Sequence, residues 1–184
     1  GLVKTTYGTG CFMLMNTGGT MARSQNGLLP TVAWRIGGKT TYALDGGVYV
    51  TGAATKWLQE GLGLVDSPAD TEELALSVFS NGGVYFVPAF AGLAAPHWDS
   101  YARGMMIGIT GGTKKAHIVR ATLESTAYQV RDVLDVMRRD SGVEVSVMRC
   151  NGRATANRSL MPFHADIPGI PLEPPENGET PARG

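Results

Sequence analysis

Between Lys114 and Arg139 apolar residues return every three or four positions, at Val119, Leu123, Ala127, Val130, Leu134 and Met137. That spacing places them on one stripe of an α-helix about seven turns long. A helix with one continuous apolar stripe is stable only when the stripe is covered. The rest of the chain must therefore supply a broad apolar surface. Arg138 and Arg139 stand in the last turn, where the helix dipole favours cations, and Gly142 follows as a stop signal.

The surrounding segments supply β-prone runs. Residues 6–15 read as a strand or an arm of a tight hairpin, followed by a turn at Asn16, Thr17, Gly18 and Gly19. TVAWRI at 31–36 and TTYALDGGVYV at 40–50 flank Gly37-Gly38, a hairpin signal. Thr51 is expected to cap a short helix starting at Gly52, and DTEELALSVFS at 70–80 reads as a second helix with acids in its first turn. Strands are expected at 84–90, 105–110 and 143–150, then a turn and helix across NGRATANRSLMPFHA. The tail from Ile167 is proline-rich and carries few structure signals. Early hairpins followed by alternating strands and helices predict an α/β layered domain.

Composition narrows the function classes. The 184 residues have zero formal net charge, 43% hydrophobic and 17% charged residues, which suits one globular domain. Zero net charge argues against a nucleic-acid or anionic-membrane surface as partner. No apolar run approaches a membrane span, and no leader pattern opens the chain. Two cysteines, Cys11 and Cys150, make neither a disulfide framework nor a structural zinc site, so a reducing, cytoplasmic setting is expected. The opening at Gly1, with no Met, is expected of a fragment or a processed piece.

Several constellations read two ways. Gly8-Thr9-Gly10 could let the backbone approach an anion, with adjacent N–H groups and a hydroxyl as donors, or could be a plain β-turn. Asn151-Gly152-Arg153, between a strand and a helix start that contains Asn157, could make an anion-friendly corner or a connection that merely needs glycine. His97, Trp98 and Asp99 follow Pro96 in a loop. No serine or cysteine elbow accompanies them, and His97, His117 and His164 lack ligand spacing, so loop anchoring is the expectation. Glu124 lies beside the apolar stripe, where pairing with Arg120 or Arg131 is the default. Met13, Met15, Met105 and Met106 read as core filling.

Taken in order, TYGTGCFMLMNTG, YALDGGVYVTGAATKWL, GVYFVPAFAGLAAPHWDSYARG and GITGGTKKAHIVRATLESTAYQVRDVL resemble the FGGY carbohydrate kinases. The first of them points to the glycerol branch, and 104–124 resembles the second family signature. The likeness runs from Gly1 to about Leu172. It implies an actin-like (ribonuclease H-like) ATPase domain, a mixed sheet with helices packed on it, truncated at both ends. Residues 1–172 would be most of the C-terminal, nucleotide-binding domain and 173–184 an irregular truncated tail. It implies ATP with Mg²⁺ as cofactors, glycerol as the acceptor, and a homo-oligomeric full-length protein. By the family pattern Thr9 approaches the nucleotide phosphates, Gly52 and Lys56 lie along the nucleotide, Gly152 and Asn157 hold its adenosine end, and Phe12 packs on the carbon skeleton of glycerol.

The family's catalytic base is an aspartate in a Gly-Asp-Gln motif that belongs before Gly1, so no catalytic residue and no metal ligand is assigned in this chain. Turnover by the isolated chain is expected to be negligible. A non-catalytic nucleotide-binding or interaction module, and a kinase for another polyol or sugar, are the competing readings. Departures from the family pattern cluster after Arg149. Lys56 replaces a glutamine, and Asn151-Gly152-Arg153 replaces Asp-Gly-Gly. If Arg153 needed a positive φ, its side chain would cost about 1–2 kcal/mol. Pro162 falls inside a helix, where an interior proline costs ~3 kcal/mol. Pro168 and Pro181 are further replacements. The expectation is a compromised adenosine pocket.

Overall fold

A computed structural model describes residues 2–174. Its backbone is a six-stranded mixed sheet with the long helix laid on one face. The first two strands, β1 (Val3–Tyr7) and β2 (Cys11–Gly18), form a hairpin around Gly8-Thr9-Gly10. β3 (Leu29–Ile36) and β4 (Lys39–Val48) form the second hairpin, turning at Gly37-Gly38 as the sequence predicts. Two short helices follow, α1 (Gly52–Glu60) and α2 (Asp70–Leu76). β5 (Tyr85–Val87) and β6 (Met105–Ile107) make a separate two-stranded sheet. The long helix α3 spans Lys115–Ser141 and ends at Gly142, whose left-handed φ of 63° donates its N–H to Arg138 O. β7 (Met148–Asn151), a 3₁₀ turn at Arg153–Ala156, α4 (Leu160–Asp166) and β8 (Leu172–Glu173) complete the described chain.

The large sheet runs β3-β4-β2-β1-β7-β8, antiparallel except for the β1–β7 and β7–β8 pairs. Register sorts its side chains into two faces. Leu44, Met15, Val3 and Met148 form one row on the inner face, and Gly46, Met13, Thr5 and Cys150 the next. Against these pack Val130, Leu134 and Met137 of the predicted stripe, together with Val133, all fully buried. Gly46 lets α3 approach, since a Cβ there would stand 2.6 Å from Val133 Cγ1. The opposite face carries Leu29, Asp45, Leu14, Lys4 and Arg149 in one row and Phe12 beside Thr6 in the next. On that face burial between Leu14 and Leu29 pushes the Asp45 carboxyl above its usual range.

The rest of α3's surface organises the smaller elements. Val119 joins Leu58 and Val65 in one cluster, and Leu123 joins Ala75 and Leu160 in another. Trp57 of α1 stacks on Phe86 of β5 at 5.6 Å. Glu124 is buried and doubly held: Arg120 Nε donates to Oε1 and Asn81 Nδ2 to Oε2, both at 2.8 Å. Of its two candidate partners, Arg120 is the one it takes; Arg131 pairs with Asp135. Trp98 Nε1 donates to Gly27 O, and the Asp99 carboxylate accepts from the N–H groups of Tyr101 and Ala102. This is the loop anchoring expected there. Among the described residues no helix is long and apolar enough to cross a membrane.

The structure departs from the sequence reading where partners set the limits. The strand expected at 143–150 forms only at Met148–Asn151, the stretch that meets β1. β5 stops at Val87 because Pro88 has no N–H to donate. α2 ends at Leu76, four residues early, with the Ser77 hydroxyl donating to Leu74 O. Leu172–Glu173, in the stretch expected to be irregular, pairs with β7 through Met148 and Arg149. Residues 175–184, and with them Pro181, lie outside the described residues.

Two of the expected penalties do not arise. Arg153 opens the 3₁₀ turn and is not among the positive-φ residues; the positive φ belongs to Gly152. Pro162 is the third residue of α4, in the first turn, where N–H groups have no helical acceptor in any case. Pro162→Ala should therefore change unfolding free energy by no more than about 1 kcal/mol, not by the ~3 kcal/mol of an interior proline. Chemical denaturation of the two chains measures the difference.

Candidate nucleotide site

The β1–β2 loop is welded by its backbone to the start of α1. Gly8 O accepts from Gly52 N at 3.1 Å, and Thr9 O accepts from Thr51 N and Ala53 N at 3.0 Å each. Helix-start N–H groups have no partner within their own helix, so the loop's carbonyls supply them. The Thr51 hydroxyl also donates to Gly8 O, at 3.1 Å, rather than capping α1 as expected. Gly52 is required by this contact, because a Cβ would lie 2.5 Å from Gly8 O. Its role is close packing beneath the loop.

Within the loop, Gly8 N–H turns inward to Gly10 O at 2.8 Å. It is not a ligand donor, which narrows the expected nest to Thr9. Among the described residues, neither the Thr9 N–H nor its hydroxyl has a hydrogen-bond partner, and the residue is exposed. The corner therefore offers two outward donors held by an anchored backbone.

The second wall comes from the turn after β7. Gly152 has φ 105° and crosses β1 so closely that a Cβ would collide with Tyr7 O. No side chain fits there, so the expected need for glycine is met for a backbone reason. Asn157 closes the turn. Its Oδ1 accepts from Ser159 N at 3.0 Å and Leu160 N at 2.9 Å, closing the bend that leads into α4. Glu72 of α2 binds this wall from across the gap, accepting from Arg158 N at 2.7 Å and Nε at 2.8 Å. Those hydrogen bonds hold the Glu72 carboxyl below its usual range.

Between the walls lies a cavity of about 1040 Å³. Thr9, Gly52, Lys56, Gly152 and Asn157 all line it, although they are spread over 149 residues of sequence. Phe12 does not. It is exposed on the open face of the sheet, paired in register with Thr6, which does line the cavity. Sequence reasoning missed Thr51, Thr55, Glu72 and Thr126 as lining residues. Glu72 carries no local signal, since its place depends on Arg158, 86 positions away. Lys56 pairs at 3.4 Å with Glu60, one helical turn on, and both are exposed. Among the described residues no cluster of three acids, histidines or cysteines could hold a metal ion.

Behind the cavity wall sits a buried polar pair. The Tyr7 hydroxyl and His164 Nδ1 are 2.9 Å apart, and both side chains are buried. Burial pushes the Tyr7 phenol well up and the His164 imidazole down to about 3. His164 is thus neutral at any ordinary pH.

A mixed sheet, a hairpin loop welded to a helix start, and a glycine turn facing it across a cavity define a domain of the actin-like ATPase class. The structure superposes on Plasmodium falciparum glycerol kinase solved with ADP at a TM-score of 0.90 and 38% identity, covering 96% of this chain and 35% of that one. It matches xylulose kinase from Lactobacillus acidophilus at a TM-score of 0.84 and 20% identity, which speaks to the fold alone. Residues 3–184 match the model of the FGGY family of carbohydrate kinases, C-terminal domain, and the chain belongs to that family. Over all 184 residues it is 57% identical to glycerol kinase 2 of Thermotoga maritima and 56% identical to glycerol kinase of Carboxydothermus hydrogenoformans. It spans 37% of the length of each of those relatives.

Two outcomes follow from the geometry. Gly52→Ala should push the β1–β2 loop off α1 and cost about 1–3 kcal/mol of stability, seen as a lowered denaturation midpoint. His164 makes stability depend on acid. Its folded pKa lies below its unfolded value, so the unfolded chain binds the proton more tightly. The stabilisation is complete above about pH 6.5 and is lost as pH falls towards 3. Unfolding free energy measured across that window should fall with acid, and His164→Asn should flatten the slope.

Proposed function

We propose that the chain is the ATP-holding, C-terminal domain of a glycerol kinase. The observation that carries the reading is the convergence of Thr9, Gly52, Lys56, Gly152 and Asn157 on one cavity. The choice of glycerol as acceptor is supported by the names of relatives 54–57% identical over the whole chain. In the reaction a terminal hydroxyl of glycerol attacks the γ-phosphorus of ATP, giving glycerol 3-phosphate and ADP. The work of this domain is positioning and electrostatic support. Thr9 offers its N–H and hydroxyl to phosphate oxygens, from a loop that cannot shift without breaking its bonds to α1. The Gly152 turn and Asn157 form the opposite wall, along the adenosine. Phe12, outside the cavity on the open face of the sheet beside Thr6, would present an apolar ring to the glycerol carbons.

Mg²⁺ would travel with the phosphates, since the described residues hold no acid cluster that could cage it. We assign no general base within this chain. The two carboxylates lining the cavity are engaged, Glu60 with Lys56 and Glu72 with Arg158. The unpaired, buried thiols of Cys11 and Cys150 suit a reducing cytoplasm.

A coupled assay with ATP, Mg²⁺ and glycerol tests the reading. The 184-residue chain alone should give no turnover above background, while the full-length protein turns over and its Thr9→Ala variant loses about 10- to 100-fold in kcat/KM. Saturable ATP binding by a full-length protein that phosphorylates nothing would point to a nucleotide-binding module instead. Preference for another polyol in a substrate panel would reassign the acceptor.

A further inference from the structure

The cavity holds a cation that the family pattern does not supply. Arg153 lines it immediately after the turn at which Gly152 meets the backbone of Tyr7. Gly8 and Thr9, the next residues of that backbone, line the same cavity as Arg153. Its side chain is exposed, and among the described residues its guanidinium has neither an ion-pair nor a hydrogen-bond partner. The neighbouring cations differ. Lys56 is engaged with Glu60, and Arg158 is pinned to Glu72.

We infer that Arg153 reads the phosphates of the nucleotide, setting this chain's preference for nucleoside di- and triphosphates over the uncharged nucleoside. The inference rests on the nucleotide reading of the cavity. A guanidinium keeps its proton in any protein environment and offers a planar fork that fits two phosphate oxygens at once. Arg153 has no acid to release before it can do so. The 3₁₀ turn that carries it is fixed at both ends. Gly152 O accepts from Thr155 N at 3.1 Å and from the Thr155 hydroxyl at 2.7 Å, and Asn157 N donates to Ala154 O at 3.1 Å. On this reading the arginine that looked like an obstruction in sequence becomes an added contact in the cavity.

Calorimetric titration of the full-length protein with ATP, ADP and adenosine, at low and high salt, tests this on wild type, Arg153→Gly and Arg153→Lys. Arg153→Gly should weaken ATP and ADP about five- to tenfold, leave adenosine within about twofold, and flatten the salt dependence. Arg153→Lys should keep the salt dependence and recover part of the affinity. Unchanged or tighter ATP binding by Arg153→Gly overturns the inference. So does an equal loss for ATP and adenosine, which would mark stacking on the base or a structural role. A wild type that binds none of the three ligands sinks the nucleotide reading itself, and this inference with it.

Discussion

The structure turns on the backbone contact between the β1–β2 loop and the first residues of α1. Three helix-start N–H groups, on Thr51, Gly52 and Ala53, point at two loop carbonyls, and the Thr51 hydroxyl adds a fourth donor. Unpaired backbone donors at a helix start must find acceptors somewhere. Here they find them in a tight turn that would otherwise be free to move. The bonds face inward, so the loop is held from behind while Thr9 stays open in front. The loop is thus held in place by the scaffold's own orphan groups.

The second wall depends on the same logic with a different pair. β1 and β7 run parallel, which carries the chain leaving β7 to the same end of the sheet as the chain leaving β1. In an open sheet this is where ligands gather, beyond the carboxyl ends of parallel strands. Gly152 lets the two chains touch, and Asn157 then closes the bend into α4 through Leu160 N. α3 serves both walls. Its inner stripe anchors the sheet, while Leu123 and Leu160 meet at the base of the cavity. The glutamate buried beside that stripe fastens the loop after α2.

Much of the fold was legible because its signals are local. The stripe from Val119 to Met137 announced α3, and the Gly37-Gly38 pair announced the β3–β4 hairpin. The site was legible only through the family likeness, because its residues lie far apart and each taken singly has an ordinary reading. Where the sequence reading erred, a partner decided the matter. β7 is as long as its contact with β1, and β8 exists because β7 offers an edge. Pro162 is harmless because Asn157 and Ser159 set the start of α4 just ahead of it. Thr51 gave its hydroxyl to a loop 43 positions away rather than to its own helix.

By itself the amino-acid order determined the periodic elements and the residues that bury them, since a stripe or an alternation is written into neighbouring positions. It also determined which places admit no side chain, although not why. Only the tertiary structure decided that Thr9, Gly52, Lys56, Gly152 and Asn157 share one cavity while Phe12 stays outside it, and that Arg153 faces the cavity with no acid to hold it. Convergence and the absence of a partner are facts about distance in space, and these residues meet only when parallel strands and a long helix have brought distant segments of the chain together.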